Sequence, residues 1–183
     1  MATSTEFNLP DVIALLARTP ATLDTMLRGL PDVWARGNEG PNTWSPHDIL
    51  GHLIVGERTD WMVRARLILE GEARPFAPFD RFAQLKEGAQ KSLEQLSQDF
   101  TRARTENLAA LQALNLQPED LQRRGRHPRL GTVTLSQLLA TWAVHDLTHL
   151  HQLSRVMAHQ YRNAVGPWIA YLGVLQCAGH SAP

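Results

Sequence analysis

The sequence predicts an all-α protein, a four-helix bundle with a long crossover between its second and third helices and a short C-terminal helix. Three observations carry that expectation. Four long segments repeat apolar residues at helical spacing, and no segment reads convincingly as a strand. The proline-bearing connector at 71–79 can also reach roughly 30 Å when extended, nearly the length of a helix of about 25 residues. The third helix can therefore run parallel to the second. The 183 residues, 43% of them hydrophobic, suit one domain, 1–183.

Helix one opens at Asn8-Leu9-Pro10-Asp11, with Asn8 or a neighbour as cap and proline in the first turn. Val12, Leu15, Leu16, Leu23, Met26, Leu27 and Leu30 form its apolar face. Thr19-Pro20 falls inside and is expected to kink or restart it. Residues 31–43, with Gly37, Gly40 and Pro41, read as a loop. Helix two carries the clearest start signal: Ser45 as cap, Pro46 as first helical residue, Asp48 at the third position and Trp44 to staple the entry. It is expected to reach about Glu70, with Ile49, Leu53, Val63 and Leu67 inward and His52 on or beside that face. Gly56, one turn past His52, costs about 1 kcal/mol of helix propensity relative to alanine. Space beside His52, or close packing against another helix, would account for it.

Helix three is expected over about Asp80 to Leu114. Its seam is Phe82, Leu85, Ala89, Leu93, Leu96, Phe100, Ala103, Leu108 and Leu111, and Lys86, Glu87, Lys91, Glu94, Arg102 and Arg104 are assigned to a solvated face. Residues 115–133 read as a loop with one helical turn after Pro118 and extended residues around Leu130 to Thr134. Its basic cluster, Arg123, Arg124, Arg126, His127 and Arg129, reads as solvated surface, the functional alternative being a lid for an anionic substrate group. Helix four runs from Thr134 to about Gln160, with Leu135, Leu138, Leu139, Trp142, Leu153, Val156 and Met157 inward. Gly166-Pro167 breaks the chain before an apolar tail helix, Trp168 to Cys177, which would cover an open end or pair two subunits as a homodimer.

Lysine plus arginine equals aspartate plus glutamate, 18 each, which argues against a dedicated nucleic-acid surface. One cysteine, Cys177, rules out an intrachain disulfide and fits a reduced, cytoplasmic protein. Met1 to Pro10 lacks the charged start and apolar core of a signal peptide, and no run is long enough to span a membrane.

The chemistry gathers at Thr141 to Gln152. His145 and His149 continue the buried stripe of helix four, and residues four apart on a helix are stacked neighbours, so both imidazoles point inward. His151, about 200° round from His149, faces outward. Two imidazoles on one face is a recurrent way to hold a divalent metal. His52 is the other histidine well inside a helix and near the seam. His47 is in a first turn, His127 in the loop, His159 at a helix end and His180 in the tail. Three neutral imidazoles bury no net charge until a dication arrives.

Trp44-Ser45-Pro46, then Gly51-His52-Leu53 and Glu57-Arg58, then Val144-His145-Asp146-Leu147-Thr148-His149 with Gln152, resembles the DinB family. The resemblance runs from about Leu9 to Leu175 and includes Pro75 and Phe79 of the connector and Gly131 to Leu135 before the last helix. It implies a bundle of up-down-down-up topology and a divalent metal, most often zinc or nickel, on His52, His145 and His149. The family's usual residue after the first histidine of the pair is glutamate, and here it is Asp146. The resemblance implies no single reaction: the family is related to bacillithiol transferases and to mycothiol-dependent maleylpyruvate isomerase.

The expected protein is a metal-dependent enzyme of thiol-transferase or hydrolase type, acting on a small molecule, in which three histidines leave positions for water or a substrate thiol. Glu57 and Asp60 are the candidate acid–base groups. Asp60 lies about 80° from His52 around the helix and Glu57 about 140°, so Asp60 has the easier approach. Thr148 and Gln152 are placed to line the site, and Trp142 to pack in the core. The alternative is a non-catalytic metal-binding or stress-response protein. A zinc-peptidase reading of His145-Asp146-Leu147-Thr148-His149 fails on the short arm and direction of Asp146, and a di-iron centre fails for want of paired Glu-x-x-His segments.

Overall fold

The four expected helical segments form, and the first three are broken where the chain supplies a reason. The computed structural model describes residues 6–71 and 75–177. His180, residues 72–74 of the connector and the first five residues lie outside them.

Asn8 caps α1 (Leu9–Leu16), its Oδ1 accepting the Asp11 N–H at 3.1 Å. The chain restarts at Thr19-Pro20 as α2 (Thr19–Leu27). The expected loop contains a short helix, α3 (Asp32–Arg36). The capping box at the head of α4 (Pro46–Thr59) is reciprocal: Ser45 Oγ accepts the Asp48 N–H at 3.2 Å, and Asp48 Oδ2 accepts the Ser45 N–H at 3.0 Å.

Helix two does not run unbroken to Glu70. At Asp60, with φ −117° and ψ −73°, it breaks, and α5 (Trp61–Glu70) begins. The break resets the helical phase, so Val63 is exposed while Trp61, Met62, Ala65 and Ile68 turn inward. Gly71 ends α5 at φ 73°, a left-handed position that favours glycine.

Helix three also starts later than expected. A short α6 (Gln84–Glu87) precedes α7 (Leu93–Ala113), which begins on a second capping box, Ser92 with Gln95. Phe82, Leu85 and Ala89 are consequently exposed and do not join the seam. One helical turn follows Pro118 as expected, α8 (Pro118–Leu121). The basic stretch is a strand: β1 (Arg124–His127) pairs antiparallel with β2 (Gly131–Thr134), Gly125 opposite Val133. A Cβ at Gly125 would lie 2.6 Å from both Ile68 Cγ1 and Phe76 Cζ, so glycine lets the hairpin sit directly on α5. Thr134 then caps α9 (Leu135–His159). The tail forms 3-10 turns, Gly166–Tyr171 and Gly173–Leu175, in place of an α-helix, and leaves Trp168 and Tyr171 exposed.

Segments α1–α2, α4–α5, α7 and α9 build the up-down-down-up bundle, the crossover joining the second segment to the third. No helix among the described residues is long and apolar enough to cross a membrane. The core divides into two apolar clusters. One gathers Val12, Leu16, Trp61, Ile68, Leu111, Leu135 and Trp142, and the other Leu23, Leu27, Ile49, Leu53, Phe100, Leu153 and Val156. Between them each segment contributes buried polar residues: Thr19, then His52 and Glu57, then Arg104, then Asp146 and His149. This polar waist holds the candidate site.

Candidate metal centre

Arg104 organises one side of the waist. Only 1% exposed, it donates from Nη1 to the Leu16 carbonyl at 2.8 Å and to Asp146 Oδ2 at 2.6 Å. Its Nη2 donates to Glu57 Oε1 at 2.8 Å and to Asp146 Oδ1 at 3.0 Å. Glu57 Oε1 also accepts from Trp142 Nε1 at 2.9 Å, and its Oε2 from Asn107 Nδ2 at 2.9 Å. Thr19 Oγ1 donates to Asp146 Oδ2 at 2.6 Å. Burial opposes the Arg104 charge, and the hydrogen bonds and attraction of Asp146 and Glu57 outweigh it, leaving the pKa above the ordinary value. One guanidinium between two carboxylates carries a net charge of −1.

On the other side three imidazoles converge. His145 Nε2 lies 3.3 Å from His52 Nε2 and 3.1 Å from His149 Nε2. Nitrogens bound tetrahedrally to zinc at about 2.0–2.1 Å stand roughly 3.3 Å apart, so the spacing already matches a shared ion. His149 Nδ1 donates to Gln152 Oε1 at 2.8 Å, which leaves its Nε2 lone pair facing the other two rings. Among the described residues, the buried Nδ1 atoms of His52 and His145 have no such partner. Burial first, then the charge of His149 and Arg81, pushes His52 down to about 3. Burial, then His149, His52 and Arg104, pushes His145 down to about 2, and burial lowers His149 as well. Burial thus favours the neutral form of each ring, and the hydrogen bond to Gln152 turns the Nε2 lone pair of His149 towards the shared point. The donor set, its spacing and its protonation fit a divalent cation.

Aromatic rings enclose the group. Trp44 lies 4.7 Å from His52 and stacks 6.3 Å from His149, and Phe79 sets its edge 5.3 Å from His52. Trp61 stands edge-on to His145 at 5.1 Å and stacks on Trp142 at 5.9 Å. Gly56 makes room for Trp61, since a Cβ there would lie 3.2 Å from Trp61 Nε1. Its small size thus serves the ring behind His145, with no direct relation to His52.

Of the residues singled out in the sequence, His52, His145 and His149 come together, His151 faces solvent and Gln152 joins them. Thr148 instead returns its hydroxyl to the Val144 carbonyl at 2.8 Å. Among the described residues, neither Glu57 nor Asp60 hydrogen-bonds to the three histidines. Glu57 belongs to the Arg104 network, and Asp60 is paired with Arg64 at 2.6 Å. The offset of about 80° between Asp60 and His52 holds only along a continuous helix, and α4 ends at Thr59. Arg104, expected on a solvated face, is buried, and its spacing gives the reason. It lies four residues after Phe100 and seven before Leu111, on the seam spacing, and its partners are on other helices. Trp44 and Phe79, a staple and a connector residue by sequence, reach His52 only through tertiary packing.

A four-helix bundle of this order, with histidines from its second and fourth segments meeting in the core, defines a class of helical proteins with a metal-capable waist. The chain belongs to the DinB superfamily, whose profile matches residues 15–153. Among solved structures it is similar to YfiT from Bacillus subtilis, described as a probable metal-dependent hydrolase with an unusual four-helix bundle topology. The TM-score is 0.70 and the identity 20%, over 86% of this chain and 92% of that one, which establishes the shared fold. A comparison with curated proteins finds no match.

Proposed function

We propose that the chain is a divalent-metal enzyme of hydrolase or thiol-transferase type, acting on a small molecule, with zinc or nickel held by His52, His145 and His149. The observation that carries this reading is the convergence of three imidazole Nε2 atoms at 3.1 and 3.3 Å in the bundle waist. No fourth histidine, cysteine or carboxylate among the described residues joins the cluster. A bound ion supplies Lewis-acid chemistry that makes a water or a substrate thiol nucleophilic near neutral pH. The remaining work belongs to the chain. Gln152 fixes the tautomer of His149, while Trp44, Phe79 and Trp61 keep bulk water from the rings. Arg104 holds Glu57 and Asp146 as fixed charges. Asp60, raised to about 6 by burial against the opposing pull of Arg64, sits beside Trp61, whose ring stands edge-on to His145, and is the proposed proton-exchanging group. The description of YfiT as a probable metal-dependent hydrolase supports this reading through the fold. The single cysteine, Cys177, is free, in keeping with a cytoplasmic setting.

Enclosure favours a second reading, a metal that only stabilises the bundle. His52 and His149 are 4% and 1% exposed, and neither cavity described, one beside Gly51 and Gln84 and one between α2 and α7, is lined by the three histidines. Elemental analysis of protein purified without a histidine tag tests the common ground: one ion per chain is expected, and alanine at His52, His145 or His149 should abolish it. Uptake unchanged in any of the three variants would sink both readings. Hydrolysis and thiol-transfer screens on the fully loaded protein then separate them, since the second predicts no turnover at all.

A further inference from the structure

The segment from Phe79 to Gln84 is fastened at both ends beside the histidines. Phe79 sets its ring edge against His52 at 5.3 Å. Gln84 packs so closely on Gly51 that a Cβ there would lie 3.0 Å from its own. Between them Asp80 Oδ1 accepts the Phe82 N–H at 3.0 Å and shapes a turn that carries Arg81. Arg81 is half-buried, and among the described residues it makes no ion pair. A cation held by the histidines would be disfavoured by an arginine on a turn fastened beside them. An anion between guanidinium and ion reverses both interactions, and the planar fork of arginine matches carboxylate and phosphate oxygens.

We propose that Arg81 is the anion-recognition residue of this site, and that the substrate carries a carboxylate or phosphate group between the guanidinium and the three-histidine centre. The inference rests on the metal-enzyme reading above and narrows it to acidic small molecules.

Mercaptoacetate and 2-mercaptoethanol test it, since both present a thiol to the metal and only the first carries a carboxylate. Binding is read from the visible absorption of the full-length protein loaded with cobalt(II). Mercaptoacetate should bind more tightly than 2-mercaptoethanol, and Arg81→Gln should remove that preference, a loss of roughly 10- to 100-fold. Affinity for 2-mercaptoethanol should stay the same, and cobalt uptake should be equal or stronger. Acetate and inorganic phosphate, titrated in parallel, identify the oxyanion, and whichever binds must also weaken in the variant. Equal mercaptoacetate affinity in Arg81→Gln and the unaltered protein would overturn the inference and leave the metal site standing. Loss of the preference together with cobalt affinity would also overturn it, by making Arg81 a structural support. If the unaltered protein takes up no cobalt, the underlying reading fails first.

Discussion

Arg104 and the three histidines solve the same problem in opposite ways. A buried arginine requires partners, and Asp146 and Glu57 give it two carboxylates from two other helices. The imidazoles avoid the problem by staying neutral. Replacing Arg104 by methionine keeps much of its volume but leaves two carboxylates uncompensated in the core. Breaking a buried pair in this way costs about 3–5 kcal/mol. Urea unfolding of Arg104→Met should register a loss of that order, and a change below about 1 kcal/mol would mean that the carboxylates find other partners or water. The histidine pair was legible because i, i+4 spacing is a local property. The role of Arg104 was not, because an arginine on an amphipathic helix resembles its solvated neighbours until its partners are known.

The break between α4 and α5 shapes the site at the scale of elements. It lets Trp61 fold back against Gly56 and stand behind His145. Alanine at Gly56 should gain about 1 kcal/mol of helix propensity. Its Cβ would meet Trp61 Nε1 at 3.2 Å, and Trp61 is held between Trp142 and His145, so overpacking of about 1–3 kcal/mol should win. Chemical denaturation of Gly56→Ala is expected to show a net loss near 1 kcal/mol. A more stable variant would mean that the indole can retreat. The phase error over Val63 has the same origin. A pattern read through Asp60 assumes constant rotation per residue, and the chain resets it there.

For the whole molecule, the waist makes stability depend on pH. An unfolded histidine titrates near 6.5, whereas burial holds folded His52 near 3 and His145 near 2, with His149 also lowered. Below pH 6.5 the unfolded chain therefore binds more protons than the folded one. The stability present above that pH is lost progressively as pH falls towards the folded values. Asp60 works in the other direction: raised to about 6 from 3.8, it favours the fold below 3.8 and loses that contribution as pH rises through 6. Three imidazoles outweigh one carboxyl. The melting temperature of metal-free protein should fall from pH 7 to pH 4.5, and a flat or rising profile would mean that the rings are not buried neutral.

The sequence by itself determined the helical segments, the capped starts at Asn8 and Ser45, the start of the last helix near Thr134, and the inward direction of His145 and His149. Each of these depends on contacts within a few residues along the chain, where spacing and side-chain type are enough. It did not determine the late start of α7, the hairpin under the basic cluster, or the joining of Arg104 to Glu57 and Asp146. Those depend on close packing between segments remote in sequence, such as Gly125 against Phe76 or Arg104 against Leu16. His52 belongs to both categories: its place on a helix was local information, and its meeting with the other two rings was decided by the way α4 lies against α9.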